Sequence, residues 1–169
     1  MVFDALTGQY EVLRCIGQGT FGTVRLARHI LTGAEVAVKT VRKGKLDPAS
    51  LQAEVAIMKA LEHPSVVQLF QVMETADRVY LVMEYAGWGD LLQYIPEGVG
   101  LPEREAQGLF DQVASALRAC HAQGIVHRDV KAENILLDAR GRIKLFGKDL
   151  ISMAQVLHRG VPPAGTSFL

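Results

Sequence analysis

The stretch His127–Asn134, with the sequence HRDVKAEN, decides how the rest of the chain is interpreted. Its eight residues include two carboxylates, two fixed cations, an imidazole and an amide. They lie between a long amphipathic segment that ends near Gly124 and a short apolar strand at Ile135–Leu137. Buried charges are rare unless they are paired or functional. The stretch therefore indicates a functional site, and a solvated, charged loop is the alternative.

Length and composition favour one globular domain with a core, because the chain has 169 residues and 49% of them are hydrophobic. Lysine plus arginine is 18, aspartate plus glutamate is 18, and the net charge is zero. This balance gives no electrostatic case for nucleic acid or for an anionic membrane surface. Cys15 and Cys120 form no metal-binding spacing, and neither a signal peptide nor a membrane span is expected. We therefore expect a cytoplasmic protein, with the nucleus as a second possibility.

The apolar pattern predicts strands and one helix in the first half of the chain. The expected strands are Tyr10–Ile16, Val24–His29, Glu35–Val41, Val66–Val72 and Arg78–Glu84. A helix is expected to begin at Asp47–Pro48, an acidic N-cap followed by proline, and to end before His63–Pro64.

The second half is predicted to be mainly helical. A glycine-punctuated connection, Glu84–Asp90, precedes a long helix expected from Pro102 to about Gly124. A short hairpin is expected from Ile135–Leu137 and Arg142–Leu145, and the tail after Gly147 has no convincing periodicity and is expected to be mobile. The stripe that predicts the core face of the long helix consists of Ala106, Leu109, Phe110, Val113, Ala116, Leu117 and Cys120.

Three glycines, Gly17, Gly19 and Gly22, lie at the tip of the first expected hairpin, in the sequence GQGTFGTV. Glycine lets backbone N–H groups approach a phosphate, although a plain glycine-rich hairpin is an equal alternative. A strand follows, whereas the dinucleotide-binding pattern requires a helix.

A lysine and a glutamate form a candidate pair. Lys39 is the polar member of the apolar run EVAVKTV, and Glu54 shares the apolar face of the first helix with Leu51 and Met58. A carboxylate on that face needs a cation, and Lys39 is the nearest candidate on a preceding strand. The alternatives are an exposed strand lysine and a glutamate that reaches water at the edge of the stripe.

Together these motifs resemble a eukaryotic protein kinase over about Tyr10 to Gly147. GQGTFGTV resembles the glycine-rich loop, VAVK the strand that carries the ATP-binding lysine, and HRDVKAEN the catalytic loop. Lys131 is typical of serine/threonine kinases. The segments LTGAEVAVK and YLVMEYAGWGDL are similar to the calcium/calmodulin-kinase group, especially to AMP-activated-kinase-related, microtubule-affinity-regulating and sperm motility kinases.

The resemblance implies a role for each matching residue, with ATP and Mg²⁺ as cofactors and a protein as substrate or partner. Asp129 would accept the substrate hydroxyl proton, Lys131 would steady the transferring phosphate, and Asn134 would bind magnesium. The nucleotide would be held by the loop glycines Gly17, Gly19 and Gly22, by the pair Lys39 and Glu54, by the adenine-facing residues Val24, Ala37 and Leu136, by Met83 as gatekeeper, by the backbone of Glu84 and Ala86, and by Asp90 at the ribose.

Two departures from the family pattern put the activity in doubt. In the family, an Asp-Phe-Gly motif follows the strand that corresponds to Ile143–Leu145, whereas here Phe146–Gly147 follows at once. Two residues are missing, the metal-binding aspartate among them, and Leu145 takes its place; Asp149 is a poor substitute. The chain also stops at Leu169, so we expect a truncated large lobe with part of the long helix exposed.

The expected fold class is α+β: a five-stranded antiparallel sheet with one helix, then a partial helical lobe. The expected divisions are an N-terminal extension (1–9), a small lobe (10–84), a hinge (85–90), a partial large lobe (91–147) and a degenerate activation-segment-like tail (148–169). The expected function is that of a serine/threonine-kinase-like, ATP-binding protein with impaired phosphotransfer. The alternatives are a non-catalytic pseudokinase or interaction module, and a truncated gene product without a stable fold.

Overall fold

The computed structural model describes residues 6, 8–18, 22–45, 47–87, 89–127, 132, 135–145 and 150–152, with the backbone alone for residues 18, 54, 126, 127 and 150–152. The helices are α1 (Pro48–Ala60), α2 (Leu91–Tyr94) and α3 (Glu103–Ala122). The strands are β1 (Tyr10–Gln18), β2 (Gly22–His29), β3 (Glu35–Arg42), β4 (Leu69–Glu74), β5 (Arg78–Glu84), β6 (Ile125–His127), β7 (Ile135–Leu137), β8 (Ile143–Leu145) and β9 (Leu150–Ser152).

The chain forms two compact units. The first unit consists of Met1–Gln52 and Leu69–Tyr85, and the second consists of Ala53–Gln68 and Ala86–Leu169. A five-stranded sheet with the order β1-β2-β3-β5-β4 forms the first unit, and every neighbouring pair is antiparallel. The predicted α+β class, a five-stranded antiparallel sheet with a helix followed by a partial helical region, is confirmed.

One hydrophobic cluster of the first unit lies on one face of its sheet and extends to the segment before β1. Leu6 is only 1% exposed, and its carbonyl oxygen accepts hydrogen bonds from the N–H groups of Gln9 and Tyr10 at 3.1 and 2.9 Å. The N-terminal segment therefore contributes to the core. The buried members of this core are Leu6, Ala27, Val36, Val38, Tyr80 and Val82.

The core of the second unit forms around α3. Leu109 is the first buried residue of α3, and residues 103–108 are all exposed. Ala106 is therefore exposed, and Phe110 is 53% exposed, so both were wrongly assigned to the core face. The buried members are Ile57, Leu61, Val66, Leu109, Val113, Ala116, Leu117, Cys120, Ile125, Ile135, Leu137, Ile143 and Leu145.

Several short elements differ from the sequence-based expectation. β4 begins at Leu69 and not at Val66, because Val66 forms an isolated parallel bridge with Leu145 of β8. The tail was expected to lack regular structure, yet β9 pairs with β6 in antiparallel register. α2 and β6, four and three residues long, were not predicted.

The buried position of Leu6 leads to a stability prediction. We expect Leu6→Ala to lower the free energy of unfolding by about 2–4 kcal/mol, because it removes buried methyl groups and leaves a cavity. The matched control is Leu31→Ala, since Leu31 is 90% exposed and its truncation should leave stability within about 0.5 kcal/mol. Urea unfolding of both variants measures the difference, and equal losses would contradict the assigned role of the N-terminal segment.

Candidate functional site

The register of the first sheet places several predicted site residues on one face. Val24 lies directly opposite Gly17 on β1 and opposite Lys39 on β3. Ala37 lies opposite Met83 on β5. Directly opposed residues of antiparallel strands share a face, as do residues two apart on one strand. The face that carries Val24 therefore also carries Lys39, Ala37 and Met83.

This face combines apolar surface with the amine of Lys39. Ala37 and Met83 are buried, at 7% and 1% exposure, and Val24 and Lys39 are half-buried. The same face therefore offers apolar contacts for a flat ring and a cation for an anionic group. Glu54, the predicted partner of Lys39, lies on α1, and its side chain is outside the described part of the structure.

The glycines of the first hairpin differ in what the fold requires of them. A Cβ atom at Gly22 would overlap the backbone carbonyl oxygen of Thr40, whereas at Gly17 it would lie 3.6 Å from the Cβ of Val24, an ordinary contact. Gly22 is thus demanded by the close approach of two strands, and Gly19 lies outside the described residues. Ile16, next to Gly17, is a 39% exposed aliphatic side chain.

The remaining nucleotide candidates lie at the end of β5 and in the residues that follow. Glu84 is half-buried and ends β5, opposite Val36 on β3. Ala86 is 9% exposed and begins the second part of the second unit. Their predicted contacts would be made by backbone groups, so their side chains do not test the prediction.

Asp90 and Leu136 lie side by side in the second unit. Their backbones form an antiparallel bridge, and the N–H of Leu137 donates to the carbonyl oxygen of Gly89 at 2.9 Å. Oδ1 of Asp90 also accepts from the N–H of Gln93 at 2.9 Å and so caps α2. A carboxylate has about four lone-pair sites, so this cap leaves acceptors on Asp90 for a hydroxyl ligand.

The end of β8 carries Leu145, at the position where the resemblance predicts the loss of a metal-binding motif. Leu145 is fully buried, its N–H donates to the carbonyl oxygen of Ser65 at 2.7 Å, and its own carbonyl oxygen accepts from the N–H of Val67 at 3.0 Å. An aliphatic side chain offers no oxygen to Mg²⁺. Among the residues that the structure describes, no group of three or more His, Cys, Asp or Glu side chains could hold a metal. Leu145 and the other described residues at the end of β8 therefore do not fit a magnesium ion.

The predicted catalytic residues fall between two described strands. The stretch that holds Asp129, Lys131 and Asn134 connects β6 with β7, and these three residues lie outside the described part of the chain, as do Phe146, Gly147 and Asp149.

Cys120 carries no nucleophilic chemistry. It is fully buried in α3, and burial raises the pKa of its thiol to about 11. The thiolate is the reactive form, so this cysteine is inert near neutral pH.

Fold and site together define a class: a kinase-like small lobe, with a glycine-rich hairpin and a lysine on the third strand, followed by part of a large lobe. Residues 10–154 match the family described as "Protein kinase domain", so the chain belongs to the protein kinase family. Protein kinases use ATP and Mg²⁺ and act on protein substrates.

In the described part of the chain, no helix is both long and apolar enough to cross a membrane.

Similar proteins include three curated kinases. The chain is 44% identical over 167 residues to "Serine/threonine-protein kinase SIK3 homolog" of Danio rerio, 46% over 141 residues to "Serine/threonine-protein kinase SIK2" of Gallus gallus, and 44% over 161 residues to "NUAK family SNF1-like kinase 2" of Rattus norvegicus. These matches cover 94%, 82% and 92% of this chain but only 14%, 18% and 25% of the relatives. The predicted resemblance to serine/threonine kinases related to AMP-activated kinase is confirmed.

The two glycines give a paired prediction. We expect Gly22→Ala to lower the free energy of unfolding by about 1–3 kcal/mol, because the added methyl group must displace the backbone at Thr40. Gly17→Ala, which meets only an ordinary contact, should cost less than about 1 kcal/mol. Thermal unfolding of the two variants measures the free energy of unfolding that each substitution costs. An equal cost in both variants would show that the backbone at Gly22 relaxes without strain.

Proposed function

We propose that this chain is a serine/threonine-kinase-like domain that binds ATP and transfers its γ-phosphate weakly or not at all. The observation that supports binding is the shared face of Val24, Ala37, Lys39 and Met83. In this proposal the apolar members contact adenine, and Lys39, paired with Glu54, binds the phosphates. Asp90 contacts the ribose and Leu136 contacts the adenine. The loop glycines Gly17, Gly19 and Gly22 lie at the phosphates. The backbone groups of Glu84 and Ala86 bind the edge of the adenine.

The proposed loss of activity follows from the end of β8. Phosphoryl transfer depends on positioning and on neutralising charge on the phosphate, and Leu145 supplies neither a ligand nor a charge. Asp129 remains to accept a hydroxyl proton, Lys131 to steady the phosphate and Asn134 to offer one amide oxygen. We expect phosphotransfer several orders of magnitude below that of a kinase with a complete metal site.

A non-catalytic role as an interaction module is the second candidate. Leu92, Val99 and Phe110, all in the second unit, are 52%, 85% and 53% exposed, and in this second proposal they contact a protein partner. The zero net charge favours neither nucleic acid nor a membrane surface, and the free cysteines Cys15 and Cys120 suit a reducing compartment, the cytoplasm or the nucleus.

Nucleotide binding is tested by thermal melting of the purified chain. A ligand that binds only the folded state at 100 times its Kd stabilises that state by about 2.7 kcal/mol, so ATP should raise the melting temperature. Lys39→Met should abolish most of this shift, whereas Lys45→Met, at an exposed turn, should retain it. We expect the same shift in magnesium and in EDTA. No shift in either buffer would sink the binding proposal, and a shift that requires magnesium would contradict the impaired metal site.

The cause of the impairment is tested by restoring the missing length. We expect insertion of Ile-Asp between Leu145 and Phe146 to make the ATP-induced shift increase with magnesium, because it creates an Asp-Phe-Gly motif after an undisturbed β8. An Ile-Asn insertion of the same length is the control and should show no such increase. Leu145→Asp should instead cost several kcal/mol of stability, because it buries a charge without a partner. A magnesium response in the control insertion would overturn this explanation.

A further inference from the structure

A polar cluster around His63 is not among the residues assigned to the function proposed above. The N–H of Ser65 donates to Nδ1 of His63 at 3.0 Å, and Nε2 of the same ring lies 3.0 Å from Oγ of Ser115 on α3. Because Nδ1 accepts, the ring hydrogen of a neutral imidazole lies on Nε2, which therefore donates to Ser115. His63 thus connects the α1–β4 loop to α3.

The loop that His63 holds is a tight turn. The N–H of Val66 donates to the carbonyl oxygen of His63 at 3.1 Å, and Pro64 occupies the second position of this turn, where its restricted φ is favourable. Ser65 is buried, at 7% exposure, so its N–H needs an acceptor inside the protein. The His63 imidazole provides that acceptor.

The turn continues into a backbone ladder. Ser65 and Val67 hydrogen-bond to the N–H and carbonyl groups of Leu145, and β8 pairs with β7 in register, with Leu136 opposite Lys144. On its other side, β7 pairs with residues 89–90. We call residues 65–67, β8, β7 and residues 89–90 the four-segment ladder.

α3 supports the ladder at a second point. Oε1 of Gln112 accepts from the N–H of Ile143 at 2.9 Å, and Gln112 lies one turn before Ser115 on the same helix. Nζ of Lys144 donates to the carbonyl oxygen of Pro64 at 2.7 Å, which adds a further connection between β8 and the turn. The turn, β8 and α3 are therefore held by side-chain bonds in addition to the backbone ladder.

We propose that His63 is a positioning residue: with Ser115 it holds the outer segment of the four-segment ladder, and the ladder places Asp90 and Leu136. In the nucleotide part this inference rests on the proposed function, since these two residues are its ribose and adenine contacts. His63 itself is not one of the proposed nucleotide contacts. Its effect passes from Ser65 to Leu145, from β8 to β7, and from β7 to residues 89–90.

The variants separate an acceptor at residue 63 from a mere space-filling side chain. His63→Leu introduces an apolar side chain of similar size and so removes both ring nitrogens. His63→Asn supplies an uncharged oxygen that accepts from the N–H two residues later, as in an Asx turn. Ser115→Ala removes only the α3 partner. The matched control is His29→Leu, because Nδ1 of His29 accepts from the N–H of Thr32 at 3.3 Å in the β2–β3 turn of the first unit.

Two measurements are made on the full chain. Affinity for a fluorescent N-methylanthraniloyl-ATP reports the nucleotide contacts, and amide hydrogen exchange at Leu145 and Leu137 reports the ladder. We expect His63→Leu to weaken the affinity about tenfold and to speed both exchanges about tenfold, the scale of one net hydrogen bond. His63→Asn should restore most of both, Ser115→Ala should give a smaller loss, and His29→Leu should change neither.

Unchanged exchange at Leu145 and Leu137 in His63→Leu would overturn the proposal, and so would failure of His63→Asn to restore it. Faster exchange with unchanged affinity would also refute the positioning role. Absence of nucleotide binding by the unmodified chain refutes the proposed function, and exchange alone then decides whether His63 holds the ladder. Should His63→Leu fail to fold, Ser115→Ala and His63→Asn decide: wild-type exchange in Ser115→Ala counts against the proposal.

Discussion

The backbone pairing of Leu145 with the loop at residues 65–67 is the constraint on which the second unit depends. It joins a loop that follows α1 to a hairpin far along the chain, and it encloses a side chain with no exposed surface. The backbone N–H and carbonyl groups of Leu145 are both hydrogen-bonded, so β8 cannot shift its register to compensate for a shorter segment after Leu145. The strand β8 therefore keeps its pairing with β7 and with the loop at residues 65–67.

Most of the regular structure could be predicted because it depends on local pattern. β5 is an apolar run with turn residues before it, and α1 begins with an N-cap acid and proline, so both were expected within a few residues of their observed limits. The error at the start of β4 has a physical cause. Val66 was assigned to a strand because of its neighbours, but its partner is Leu145, and pairing at that distance leaves no trace in a short window.

The candidate site was predictable in part for the same reason. The glycines and Lys39 belong to local patterns, and strand register then explains why Val24, Ala37 and Met83 share a face with that lysine. The support behind the site was not predictable. His63 with Ser115 and Gln112 with Ile143 are bonds between residues 52 and 31 positions apart, and a histidine before a proline gives no sign of its partner. The catalytic stretch lies outside the described residues, so its predicted roles remain predictions.

The crowded backbone at Gly22 bears on how such chains change over evolutionary time. A residue that the sheet itself requires is under selection in any descendant that still folds, whether or not that descendant retains catalysis. The third glycine of this hairpin would thus survive the loss of phosphotransfer, whereas a residue needed only for chemistry would drift. Retention of Gly22 is consequently a record of folding, and surveys that infer activity from this glycine will count inactive chains as enzymes.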